Sequence, residues 1–282
     1  MITKKEILAI AAIQNVNPVI IEKDYVLGWM LAGISVHPIL SESWIFKGGT
    51  CIKKCYFGEY RFSEDLDFTL TAEAVIDQAI VRKQLEEVID WLYEACGIEV
   101  PENEIDVFYD SNDKTLRGKL GYVGPLEQRG SFTRIKLDLT QNEFLVLPPY
   151  KSKIFHPYGD KKDFLYETQT YSYQEIFAEK IRALFERARP RDLYDVVNLY
   201  ERMKDYLVDR VVLKRIVQKK LAFRKLPSLS QGSLISQSQE QELIQDWSSM
   251  LAHQLGHLEP ASAYLNKYPQ IINWVMSDES DR

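Results

Sequence analysis

The sequence of 282 residues has few of the features that mark secreted, zinc-stabilised or membrane proteins. Its three cysteines, Cys51, Cys55 and Cys96, are odd in number and have no CxxC spacing, so neither a disulfide framework nor a zinc ribbon is expected. No apolar run reaches the ~18 residues of a membrane span, and the N-terminal segment is typical of a capped helix rather than of a signal peptide. We therefore expect a cytoplasmic protein with no membrane partner.

Several catalytic motifs are also missing. The sequence contains no Gly-rich P-loop ending in Gly-Lys-Ser/Thr, and no Ser/His or Cys/His set stands out. His253 and His257 have the spacing of a zinc-binding helix, but the segment between them lacks the protease glutamate and contains Gly256. The net charge of −6 argues against a uniformly basic surface, so any contact with a polynucleotide has to be local.

What the sequence does contain is an informative segment at residues 46–70. A short apolar run at 44–46 predicts a buried strand, and Gly48 and Gly49 predict a sharp turn into a helix that starts at Thr50. In the next predicted strand, Asp65 and Asp67 share one face because strand side chains alternate. This combination of a glycine turn and paired carboxylates suits a magnesium-bound triphosphate.

Each part of this pattern also has a simpler interpretation. Asp65 and Asp67 repel each other, which a divalent cation would relieve, but they could equally be two acids at a solvated strand end. The glycine pair lets backbone N–H groups approach a phosphate, or it forms a tight turn without a ligand. Asp138, on a predicted strand at 134–140, is a candidate third carboxylate, or it forms a surface ion pair with Lys136 or Arg134.

The second half of the chain is predicted to be helical. Composition changes after residue 149, which divides the sequence into an α/β domain at 1–150 and a mainly α-helical domain at 151–282. Lys180 and Arg187 share the flank of a helix and could face a cleft between the two domains. On the next helix, Asp192 lies at the edge of the apolar stripe and Asp195 nearly opposite it, although the helix dipole alone favours acids there.

Five sequence blocks together resemble the AbiEii/AbiGii toxins, nucleotidyltransferase-like proteins of bacterial toxin–antitoxin and abortive-infection systems that include the MenT toxins. The block around the paired carboxylates is the most specific of them. The blocks are Ile21-Glu22-Lys23-Asp24-Tyr25, Phe46-Lys47-Gly48-Gly49-Thr50, Arg61-Phe62-Ser63-Glu64-Asp65-Leu66-Asp67-Phe68, Ala178-Glu179-Lys180-Ile181-Arg182-Ala183-Leu184 and Arg191-Asp192-Leu193-Tyr194-Asp195.

The resemblance implies an α+β fold with a polymerase-β-like nucleotidyltransferase core, followed by a C-terminal α-helical domain, with an NTP and Mg²⁺ or Mn²⁺ in the cleft between them. It also assigns roles to residues. Those matched to the catalytic and metal-binding positions are Asp65, Asp67, Lys180 and Asp192, and Asp138 follows from the general fold. Those matched to, or next to, nucleotide-binding positions are Lys47, Gly48, Gly49, Thr50, Lys54, Ser63 and Asp195.

The function implied is transfer of a nucleoside monophosphate from an NTP to an acceptor, with pyrophosphate as the leaving group. RNA is the expected acceptor, as the tRNA 3′ end is in MenT-like relatives, and an antitoxin protein is the expected partner. Two alternatives stay open. One is a non-catalytic module that binds a nucleotide, and the other is a nucleotidyltransferase that modifies a protein or a small molecule.

Overall fold

The computed structural model describes residues 1–110, 115–141, 143–160, 162, 164–230, 232–233 and 235–277. A turn that the sequence predicts at residues 111–113 lies outside this range. The described chain divides into two compact units, one formed by residues 1–143 and 149–171 and the other by residues 144–148 and 172–282. The predicted domains, 1–150 and 151–282, stay a prediction.

The three longest helices of the first unit begin at residues whose side chains cap them. Thr3, Asn17 and Asp77 accept hydrogen bonds from backbone N–H groups of the first turns of α1, α2 and α5. Gly97 ends α5 in the left-handed conformation, with φ of 75°. The helices are α1 (Lys4–Gln14), α2 (Pro18–Val36), α3 (Leu40–Ser43), α4 (Gly48–Cys51), which continues into a π-helical turn (Ile52–Phe57), and α5 (Gln78–Cys96).

A seven-stranded mixed sheet forms the centre of the first unit. Its strands are β1 (Trp44–Lys47), β2 (Asp65–Leu70), β3 (Ile105–Tyr109), β4 (Leu116–Tyr122), β5 (Thr133–Thr140), β6 (Tyr150–Lys153) and β7 (Glu167–Thr170). They lie in the order β3-β4-β5-β2-β1-β7-β6. The central β2 is antiparallel to β1 and parallel to β5, so residues from distant parts of the chain meet at the middle of the sheet.

The second unit is helical. Ser172 caps α6, Pro190 is the first residue of α7, and Asp209 caps α8. The helices are α6 (Tyr173–Arg187), α7 (Pro190–Arg202), α8 (Arg210–Phe223), α9 (Gln237–Leu251), α10 (Ala261–Leu265) and α11 (Tyr268–Met276). Across the described residues of both units, no helix combines the length and the apolar character that crossing a membrane requires.

Candidate active site

The turn after β1 brings backbone and carboxylate unusually close together. Gly48 has a φ of +82°, and a Cβ built on it would lie 2.1 Å from Oδ2 of Asp67. A Cβ on Gly49 would lie 2.8 Å from Nη2 of Arg61 and 3.0 Å from Oγ of Ser63. Thr50 is buried and donates its hydroxyl to the carbonyl oxygen of Asp65 at 2.5 Å. Because these positions have no Cβ, β2 and the residues just before it, Arg61 and Ser63, pack directly against the turn.

Four charged residues form a row across the strands β1, β2, β5 and β4. Asp67 is in register with Lys47 on one side and with Asp138 on the other, and Asp138 is in register with Arg117. Residues that lie opposite each other on neighbouring strands project from the same face, with the strands about 4.8 Å apart. The row therefore reads cation, acid, acid, cation, and Asp65 lies on the same face, two residues before Asp67.

The outer cations of the row are themselves placed by ion pairs. Nε of Arg117 lies 3.2 Å from Oδ1 of Asp138, and Nζ of Lys47 lies 3.5 Å from Oε1 of Glu143. Sequence reasoning offered Lys136 or Arg134 as the ion-pair partner of Asp138, whereas Arg134 pairs with Glu104 at 2.8 Å. The structure thus gives Asp138 a partner on β4, which a single strand read alone does not reveal.

The three carboxylates supply the hard oxygen ligands that Mg²⁺ prefers. Among the described residues, no three or more His, Cys, Asp or Glu side chains are arranged as a ready-made metal site. Magnesium that accompanies a triphosphate needs fewer, since one or two carboxylates and the phosphates of the substrate usually hold it. Asp65 and Asp67, on one face of β2, fit that requirement in number, chemistry and position.

Lys54, one of the predicted nucleotide-binding residues, lies in a buried ion pair. Its Nζ lies 2.6 Å from Oδ2 of Asp24 on α2, and both side chains are 1% exposed. Tyr158 donates its hydroxyl to the same oxygen at 2.6 Å. Burial opposes ionisation of Asp24, but the ammonium groups of Lys54 and Lys53 and these hydrogen bonds outweigh it, so the pKa of Asp24 lies below its usual value. Lys54 is therefore a structural tie between α2 and the π-helical turn.

Charged residues flanking Asp24 fasten α2 to the rest of the unit in the same way. Oε1 of Glu22 accepts the backbone N–H of Leu126 at 2.6 Å, and Lys23 pairs with Glu64, next to Asp65, at 2.9 Å. Burial raises the pKa of Glu22 even though this hydrogen bond acts in the opposite direction. These contacts were not predicted from the sequence. The signal for them was present, because three consecutive charged residues within a dense apolar helix need buried partners.

A second cluster of charges lies in the helical unit. Nζ of Lys180 lies 2.7 Å from Asp195 and 3.5 Å from Asp192, and Arg187 donates from Nε and Nη2 to both oxygens of Asp192 at 2.7 and 3.0 Å. Both carboxylates are fully buried, whereas the Arg187 side chain is about half exposed. The hydrogen bonds to Asp192 raise the pKa of the Arg187 guanidinium. Two buried acids of α7 therefore join this helix to Lys180 of α6.

Asp195 was predicted to lie nearly opposite the apolar stripe of α7, and this prediction does not describe its burial. Asp195 is completely buried, as is Asp192. The reason is that α7 contacts α6 and also α9, α10 and α11, so it is covered on more than one side. A helical wheel built on one stripe assumes a single buried face.

Comparisons with known proteins bear on the whole arrangement. Residues 29–271 match the sequence model of a family described as nucleotidyl transferase AbiEii toxin, type IV TA system. MenT4, a nucleotidyltransferase toxin from Mycobacterium tuberculosis, has a similar structure, with a TM-score of 0.66 and 17% identity over 98% of this chain and 90% of that one. JHP933 from Helicobacter pylori is similar with a TM-score of 0.59 and 15% identity over 92% and 93% of the two chains. A comparison with curated protein sequences gives no match. The predicted nucleotidyltransferase fold with a helical C-terminal region is confirmed.

Proposed function

We propose that this chain, which belongs to the AbiEii family of nucleotidyl transferase toxins of type IV toxin–antitoxin systems, transfers a nucleoside monophosphate from an NTP to a hydroxyl group of RNA. One observation carries the proposal. Asp67 lies against the backbone of the Gly48 turn and in register with Asp138, which groups carboxylates beside a turn able to receive phosphates. The tRNA 3′ end is the proposed acceptor.

The chain's own residues have separate tasks in this reaction. Asp65 and Asp67 would hold Mg²⁺, which supplies positive charge for the triphosphate and for the leaving pyrophosphate. Gly48 and Gly49 start α4 without side chains of their own, so phosphate oxygens would bind at this turn, and Ser63 lies beside Gly49. Asp138 orients the acceptor hydroxyl and accepts its proton, while Arg117, which also pairs with Asp110, supplies positive charge next to Oδ1 of Asp138. Lys47, at the end of β1, balances phosphate charge.

The choice of RNA rests on cations that continue the same face of the sheet. Lys136 is in register with Asp65 and with Lys119, so two lysines lie on the β4 and β5 side of the carboxylates. Nζ of Lys119 lies 4.8 Å from the centre of the Phe108 ring. Within the described residues, Lys136 makes no ion pair, and it is exposed. A local cationic patch of this kind favours an acceptor with a phosphate backbone, despite the net charge of −6.

The test uses the purified chain, total RNA, each of the four NTPs labelled at the α-phosphate, and Mg²⁺ or Mn²⁺. We expect RNA to be labelled, and labelling to fall by about 10²- to 10³-fold for Asp67→Asn and for Asp138→Asn, since each removes charge stabilisation at the reacting groups. Asp90→Asn is the control and is expected to leave labelling unchanged, because Asp90 is an exposed acid on α5 rather than on the sheet. EDTA is expected to abolish labelling.

Other outcomes of this experiment identify the alternatives. If a protein or a small molecule is labelled and RNA is not, that molecule rather than RNA is the acceptor. Nucleotide binding without transfer to any acceptor would indicate a non-catalytic module. The nucleotide-site roles of Lys180, Asp192 and Asp195 stay predictions and are tested by their own variants in the same assay. Growth arrest relieved by co-expression of the adjacent reading frame would identify the antitoxin partner.

A further inference from the structure

The helix α8 has a charge composition unlike that of the chain as a whole. The chain has a net charge of −6, yet residues 210–225 contain no acidic residue. The cations of this segment are Arg210, Lys214, Arg215, Lys219, Lys220, Arg224 and Lys225. Like charges at i and i+4 on a helix are mildly destabilising, so the spacing of Arg215 and Lys219 is not explained by the stability of the helix.

Some of these cations have structural partners and others face outward. Lys214 donates to the carbonyl oxygen of Met276 at 3.0 Å. Lys220 is buried and pairs with Glu175 at 2.8 Å and with Glu179 at 3.1 Å. Arg215 and Lys219, by contrast, are exposed. Together with the exposed Val211 and Phe223 they follow i, i+4 spacing and form one outward-facing row, which we call the α8 stripe.

Two aromatic rings lie at the C-terminal end of the α8 stripe. The rings of Phe144 and Phe223 stack with their centres 6.0 Å apart and their planes 21° from parallel. Both rings are substantially exposed, at 40% and 47%. Nζ of Lys219 lies 6.0 Å from the centre of the Phe144 ring. Exposed aromatic faces among cations are what proteins use to bind unpaired nucleotides, because bases stack on the rings while the cations meet the phosphates.

We propose that the α8 stripe, with Phe144, is a binding surface for single-stranded RNA. This rests on the proposed function, in which RNA is the acceptor, and it adds a contact surface on the helical unit. A membrane surface is a poorer partner, because α8 already buries its apolar side chains, Leu213, Ile216, Val217 and Leu221, within its own unit. A protein partner would need an acidic surface to match Arg215 and Lys219, and binding to an acidic protein is a separate outcome of the test.

The first experiment measures the affinity of the full chain for a fluorescein-labelled oligouridine of about 20 nucleotides by fluorescence anisotropy over a range of salt concentrations. Each phosphate contact adds about 0.7 to the slope of log K against log salt for single strands. Arg215→Gln/Lys219→Gln is therefore expected to reduce the slope by about 1.4. Phe223→Leu keeps an apolar side chain but removes the ring, so it is expected to weaken binding by at least about 5-fold with the slope unchanged.

The control is Lys4→Gln/Lys5→Gln, which removes two exposed lysines from α1 and is expected to leave affinity and slope unchanged. RNA affinity that is the same in the α8 variants and the wild type would overturn the inference, as would binding to anionic vesicles, or to an acidic protein, in place of RNA. The outcome is separable from that of the proposed function. If the wild-type chain labels RNA and the α8 variants bind RNA with unchanged affinity, only the binding surface is refuted. If RNA binds through α8 but no RNA is labelled, only the proposed reaction is refuted.

Discussion

Replacement of Gly48 by alanine separates the cost of backbone conformation from the cost of moving Asp67. At a φ of +82° an alanine pays about 1–2 kcal/mol for the left-handed conformation. Its Cβ would also lie 2.1 Å from Oδ2 of Asp67, well inside ordinary contact, so the carboxylate has to move by about 1 Å or more. A displacement of that size in a reacting group can cost about 10²-fold in rate.

The matched control is Gly97→Ala. Gly97 has a φ of +75° and a ψ of 15°, so alanine pays the cost of the left-handed conformation there, but its Cβ would meet only Cε of Met1 at 4.0 Å, an ordinary contact. We expect the two variants to lose similar stability in urea denaturation, about 1–2 kcal/mol. Labelling of RNA is expected to fall about 100-fold further for Gly48→Ala than for Gly97→Ala. Equal labelling by the two variants would refute the role given to the contact between Gly48 and Asp67.

Three further predictions concern buried charged and titratable groups. Lys180→Met leaves the buried Asp195 without this partner, so it is expected to lower the free energy of unfolding in urea by about 3–5 kcal/mol, and Lys180→Arg by less; an unchanged midpoint would contradict this. Asp24→Asn is expected to cost a similar amount by leaving Lys54 buried alone, and adding Lys54→Met should recover part of it, whereas additive losses would argue against coupling. Burial holds the pKa of His156 below its usual value, so the unfolded chain takes up a proton first, and stability should decrease as the pH falls below about 6.5. His156→Gln should lack this component of the pH dependence in denaturation measured from pH 7 to 5.

The positions of the three carboxylates could be predicted only in part from the sequence. Alternation along β2 and β5 was enough to place Asp65 and Asp67 on one face and Asp138 among the outward side chains of its own strand. It could not show which strands are neighbours. The parallel pairing of β2 with β5, which sets Asp138 beside Asp67, joins segments about 70 residues apart, and only the complete sheet determines that register.

The ion pair of Lys54 could not be predicted from the residues around it in the sequence. Its position soon after the glycine turn suggested a phosphate contact, and nothing local contradicts that. Its partner, Asp24, lies on α2, and the pair forms because both groups are buried where neither could otherwise stay charged. The dense apolar pattern of α2 predicted a buried helix, and an acid within that pattern indicates that a cation from another element is buried with it.

Charge alone does not decide whether the row across the sheet is a catalytic site. Two acids in register repel each other, but Lys47 and Arg117 flank them and offset that repulsion, so the row is compatible with a purely structural role. The stronger argument comes from Gly48, because an ion-pair row needs no left-handed glycine that lets a carboxylate touch the backbone of the next turn. If Gly48 serves to place Asp67, then Gly48→Ala should weaken NTP binding strongly in the wild-type background and little in an Asp67→Ala background. Equal effects in both backgrounds, measured by titration calorimetry in Mg²⁺, would mean that the two residues act independently and that the turn has another purpose.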